Sequence, residues 1–105
     1  MSHHIKDVED LKTKLEEAGE SLVVIDFHAT WCGPCKRIAP KYEELATSNP
    51  DVVFLKVDVD ECEAIAAQYE ISVMPTFVFI KNKVKVESFS GGNEEKLKEF
   101  IQKHK

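Results

Sequence analysis

Two stretches of this chain, Leu22-Val23-Val24-Ile25-Asp26-Phe27 and Val52-Val53-Phe54-Leu55-Lys56-Val57, are nearly unbroken runs of β-branched, aliphatic and aromatic residues. A strand with one wet face alternates apolar with polar side chains, so runs of this kind belong to strands covered on both faces, as in a parallel sheet. Between the two runs Ile38, Tyr42, Leu45 and Ala46 fall on one helical stripe, with Pro40 inside it to bend the helix. A strand, a helix and a second buried strand form a β-α-β unit. Asp7 is placed to cap an earlier helix carrying Val8, Leu11, Leu15 and Ala18, with Gly19 as its stop. A third helix is expected over residues 62–69, where Ile65, Ala66 and Tyr69 recur at helical spacing. Residues 76–80 and 84–90 flank Lys81-Asn82-Lys83 and read as an antiparallel hairpin. Asn93 is positioned to cap a last helix bearing Leu97, Phe100, Ile101 and His104. The expected architecture is α/β, one domain over residues 1–105, with a central mixed sheet flanked by helices on both faces.

At 105 residues and 43% hydrophobic, the chain has enough apolar material for one core. Its 14 basic against 19 acidic residues give a net charge of -5, which disfavours nucleic acid and anionic membrane as main partners, since both demand basic surface. Residues 1–10 hold no apolar centre of a secretory signal, and no run approaches the roughly 20 apolar residues of a membrane-spanning helix. Three cysteines, two of them three residues apart, are not the even framework of a disulfide-stapled secreted domain. The expected compartment is the reducing cytosol.

Cys32-Gly33-Pro34-Cys35 stands where a buried strand hands over to a helix. Pro34 suits the first helical turn, where its missing N–H costs nothing, and Gly33 lets a partner's backbone come close. Cys32 then lies at a helix N-terminus, whose free amides and partial positive charge favour a thiolate, and Lys36 adds nearby positive charge. Cys35 is one helical turn away on the same face, within reach for a small disulfide ring. This makes Cys32 the nucleophile and Cys35 the resolving thiol. The alternative is half a zinc site, which would need two further ligands. His3 and His4 fall in an expected frayed terminus, His28 is alone, and Cys62 has no cysteine near it. Asp26 interrupts an apolar strand, and a carboxylate buried there would have its pKa raised by desolvation, as suits a proton shuttle; the other reading is an exposed acid at a strand end. Lys56, in the neighbouring strand, is read as solvent-facing, the alternative being that it pairs with Asp26 and tunes it. Cys62 lies among Asp58, Asp60, Glu61 and Glu63, which disfavour a thiolate and make it a semi-buried structural thiol, with a regulatory role as the alternative.

Residues Ala29-Thr30-Trp31-Cys32-Gly33-Pro34-Cys35-Lys36 resemble the active-site signature of the thioredoxin family. The strand before them and Met74-Pro75-Thr76 match that family's preceding strand and second active-site loop, and the resemblance runs along essentially the whole chain, as in animal-type members. It implies the thioredoxin fold and a protein-disulfide reductase that binds no cofactor itself. Recharging would come from thioredoxin reductase drawing on NADPH, and the clients would include peroxiredoxins and ribonucleotide reductase. The same resemblance makes Asp26 a general acid/base for the second cysteine, Pro75 a cis proline facing the disulfide, and Trp31 a shield and docking surface rather than a core aromatic. Met74, Gly91 and Gly92 would help to form the substrate-binding rim, although both glycines also suit a turn before Asn93. Oxidase and isomerase relatives usually carry His just before the second cysteine, where this chain has Pro34. A scaffold that binds without turnover would have no need of the cysteine pair and Asp26. Two departures stand out. Tyr69 and Val73 occupy positions where animal members often have extra cysteines, so a covalent dimer through residue 73 is ruled out, leaving a monomer or a non-covalent dimer. Lys83 stands where the hairpin turn usually has Gly, so Asn82 is expected to take the left-handed conformation.

Overall fold

The computed structural model describes residues 1–105 and contains nine elements: β1 (His3–His4), α1 (Val8–Ala18), β2 (Val23–His28), α2 (Gly33–Ser48), β3 (Val53–Asp58), α3 (Glu63–Gln68), β4 (Thr76–Lys81), β5 (Val84–Ser90) and α4 (Glu94–His104). The five strands form one sheet in the order β1-β3-β2-β4-β5. β1, β3 and β2 run parallel, and β4 and β5 add on antiparallel, which is the expected mixed sheet.

β2 explains why its sequence is continuous rather than alternating. Val23, Ile25 and Phe27 point into a cluster with Leu11, Leu55 and Ile65 from the α1 and α3 side. Val24 points the other way, into a cluster with Tyr42, Phe54, Phe77 and Leu97 from the α2 and α4 side. Each face is therefore closed by a helical layer, and burial of both supplies the main driving force for the fold. Tyr42 is fully buried, and its hydroxyl is shared between the carbonyls of Val24 (3.0 Å) and Leu55 (2.7 Å), which ties α2 to the two central strands.

Local signals held at the helix ends. Asp7 caps α1 by accepting from the Asp10 N–H (2.8 Å), Gly19 ends that helix with φ 58, and Asn93 caps α4 by accepting from the Lys96 N–H (3.0 Å). The amino terminus differs from expectation. His3 and His4 are not frayed but pair in parallel with Leu55 and Lys56, while Ser2 donates from both its N–H and hydroxyl to Glu43 on α2. The hairpin differs too: Asn82 (φ 52) and Lys83 (φ 66) are both left-handed, because a two-residue connection matching the strand twist needs positive φ at both positions. A lysine pays a steric penalty there that glycine avoids. Lys83→Gly should therefore raise stability by about 1 kcal/mol, read as a higher urea midpoint at unchanged slope; a lower midpoint would show that the lysine side chain contributes more than its backbone conformation costs.

Candidate active site

β2 delivers the chain to the head of α2, and Cys32 is the residue that caps it. Its sulfur accepts a hydrogen bond from the backbone N–H of Cys35 (3.2 Å), in the first turn of a helix with proline at its start. Cys32 and Cys35 are joined as a disulfide, with Cα atoms 5.3 Å apart. Both are buried to the same degree, so exposure does not distinguish them. Position does: Cys32 lies at the positive end of the helix dipole with an amide aimed at its sulfur, whereas Cys35 lies a turn deeper.

The second loop closes over this pair. The Met74-Pro75 peptide is cis, as the resemblance implies, and the Cys32 sulfur lies 3.5 Å from the Met74 carbonyl oxygen. Gly91 (φ 99) makes a turn only glycine takes easily, and its N–H donates to the Pro75 carbonyl (2.8 Å). A Cβ on Gly92 would lie 3.6 Å from the Pro34 carbonyl oxygen. Gly91 thus makes the turn and Gly92 lies against Pro34. Lys36 is exposed just beyond the pair.

Trp31 is no core residue. It is 66% exposed, and its indole N–H donates to the Asp60 carboxylate (2.9 Å). Asp60 is presented by a turn in which the Asp58 carboxylate accepts from the N–H groups of Asp60 (2.9 Å) and Glu61. In the sequence these acids stand out only as neighbours of Cys62, although an acidic run after a buried strand is a signal for such a turn. Because the single tryptophan adjoins the cysteines, reduction with dithiothreitol is expected to raise its fluorescence, a disulfide being an indole quencher; an unchanged spectrum would separate Trp31 electronically from the pair.

Asp26 is 1% exposed and neither carboxyl oxygen has a hydrogen-bond partner. It is not an exposed strand-end acid. It lies on the α2 face, where desolvation pushes its pKa up to about 7, with Lys56 pulling it down and Glu43 adding to the rise. Lys56, expected to face solvent, is half-buried and sits directly beside Asp26 in the β2-β3 register. His4 is next in the same row, beside Lys56, so one polar band crosses an otherwise apolar face. His28 follows Asp26 on that face, its Nε2 buried without a partner and its ring edge-on to His4 at 6.1 Å. Burial and then Lys56 hold it below the usual histidine range. His28, Lys56 and Cys35 share a cleft of about 240 Å³.

Cys62 is apart from all this. It is buried against the carbonyls of Ile5 and Lys6 (3.6 Å each), and burial, then Glu61 and Asp58, push its thiol up. No group of three His, Cys, Asp or Glu side chains is arranged to hold a metal.

A reversible two-cysteine couple at a helix head, backed by a cis-proline loop, defines the molecule's class: a thiol-disulfide oxidoreductase acting on proteins. The family model described as thioredoxin matches residues 3–103, so the chain belongs to the thioredoxin family. It is 50% identical over 101 residues to a thioredoxin of Equus caballus, covering 96% of each chain. Among solved structures it is similar to Fasciola hepatica thioredoxin, with TM-score 0.97 and 50% identity over 98% of this chain and 99% of the other. A reduced Schistosoma mansoni thioredoxin superposes with TM-score 0.93 at 47% identity, covering 97% and 96%. Proteins of this family carry no cofactor of their own, and disulfide-containing proteins and thioredoxin reductase are their partners in general.

Proposed function

We propose that the chain works in the reducing direction, with Cys32 attacking and Cys35 resolving. The observation that carries this assignment is the Cys35 N–H aimed at the Cys32 sulfur at the start of α2, which stabilises a thiolate at residue 32. In the reduced protein the Cys32 thiolate attacks one sulfur of a client disulfide; a Cys32-client bond forms, the client S–S bond breaks, and the departing client thiolate takes a proton. Cys35 then loses its proton to the Asp26 carboxylate and attacks the Cys32 sulfur, releasing the second client thiolate and leaving the protein disulfide. Two electrons pass to the client. Trp31, the exposed Val73 and the half-buried Met74 supply the apolar bed on which a client segment lies, with Gly91 and Gly92 as its far rim.

Recharging falls to thioredoxin reductase drawing on NADPH, with peroxiredoxins and ribonucleotide reductase among the clients, and the setting is the cytosol. The chain acts there as a monomer, with Cys62 a structural thiol. Family membership supports the partners, and the odd number of cysteines, two of them three residues apart, supports the compartment. Insulin precipitation with NADPH and thioredoxin reductase tests the reading: rapid, NADPH-dependent precipitation is expected. Oxidation of reduced clients without insulin reduction would instead make the protein an oxidase, and binding without turnover a scaffold.

A further inference from the structure

The rim of the disulfide is electrically lopsided. On the Trp31 side stands Asp60, exposed and bonded to the indole N–H. On the Pro34 side stand the exposed cations Lys36 and Arg37. Arg37 lies one helical turn beyond Gly33, and its guanidinium reaches back toward the cysteine loop: Nη1 would be 3.3 Å from a Cβ placed on Gly33. It lines a cleft of about 450 Å³ with Pro34, Ile38, Gly92 and Glu94, so the cleft opens directly from the rim built by Pro34 and Gly92. The one carboxylate in that cleft is already engaged, because Glu94 pairs with Lys41 (3.2 Å). Arg37 itself has no carboxylate within ion-pair distance and no hydrogen-bond acceptor, although acids outnumber bases on the chain. A guanidinium offers a planar fork matched to a carboxylate, and here that fork is left open beside the reacting sulfurs.

We infer that Arg37 is a specificity-determining residue, which binds a carboxylate side chain of the client on one side of its disulfide. The inference rests on the reductase reading. The client segment crosses the rim in a fixed direction, so only one flank reaches the cleft, and an acid on the other flank meets Asp60.

The test uses the reduced full-length protein and three short disulfide-linked peptides: a neutral parent, one with Glu before the attacked cysteine and one with Glu after it. One placement is expected to raise kcat/KM over the parent by about threefold to fivefold, the effect of one exposed ion pair, and salt should erode it. The Arg37→Met variant should lose that gain, and Arg37→Glu should turn it into a penalty. A Lys36→Met variant serves as the comparison for charge alone. If both placements respond alike, if neither responds, or if Lys36→Met removes the gain as fully as Arg37→Met, Arg37 does not read the client. Failure of the wild-type protein to reduce even the neutral parent would instead defeat the reductase reading, which separates the two ideas.

Discussion

Replacing Cys32 with serine is expected to bring disulfide reduction down to the uncatalysed background, while Cys35→Ser keeps the first attack and then stalls. The two losses differ because the two sulfurs differ in place. Only residue 32 caps α2 and receives the Cys35 N–H, so only there does the helix stabilise the attacking anion. A serine hydroxyl at that position is far too weak an acid to ionise in the same field. With Cys35 gone the mixed disulfide has no intramolecular thiol to break it, and clients should accumulate as covalent adducts. Mass spectrometry after incubation with insulin is expected to find them bonded at residue 32. Abundant adducts in Cys32→Ser, bonded at residue 35, would reverse the roles.

Asp26→Asn should make the oxidised protein more stable and the reduced one slower. Burial without a hydrogen-bond partner lifts the folded pKa from 3.8 to about 7, so as pH rises the unfolded chain ionises first. A carboxyl with a raised folded pKa has its full stability below the unfolded value and loses it progressively up to the folded one. The loss lies between roughly pH 4 and 7, at about 1.4 kcal/mol per pH unit. Asparagine does not ionise, and it meets the same partnerless surroundings as the protonated acid. The variant should therefore match the wild type near pH 4 and exceed it by about 2–3 kcal/mol at pH 7, allowing for relaxation around the charge. Turnover should fall by on the order of tenfold to a hundredfold, because Cys35 loses its proton acceptor. Urea melts at both pH values, paired with insulin-reduction rates, decide the matter. A variant no more stable at pH 7 and fully active would remove Asp26 from both roles.

What the sequence disclosed and what it concealed divide along contact range. The caps at Asp7 and Asn93, the stop at Gly19 and the placing of Cys32 before Pro34 are written within a few residues, and each was legible. β2 and β3 were legible because burial on both faces leaves a continuous apolar run. β1 was hidden: two histidines carry no strand pattern, and their order comes from pairing with β3 and from the Ser2 link to Glu43, 41 positions away in the chain. Lys56 beside Asp26 was legible only as the alternative to a solvent-facing lysine, since alternation assigns a face but does not fix the neighbour across the ladder. The Trp31 to Asp60 bond spans 29 positions and has no local trace.

β4 begins at Thr76, directly after Pro75 beside the disulfide, and runs antiparallel to β2, which leads toward the cysteine pair. Its six residues therefore carry the chain about 20 Å away, to the Asn82-Lys83 turn at the opposite pole of the sheet. Lys81 and Val84 pair across that turn, holding its two ends close together, and both turn residues are exposed. A guest peptide spliced between them would start and finish at nearly the same point, so closing it as a loop adds little entropic cost. It would also replace the left-handed lysine rather than any core contact. The fold thus separates cargo from chemistry, and an epitope or reporter carried at that pole would leave the path of an incoming disulfide clear.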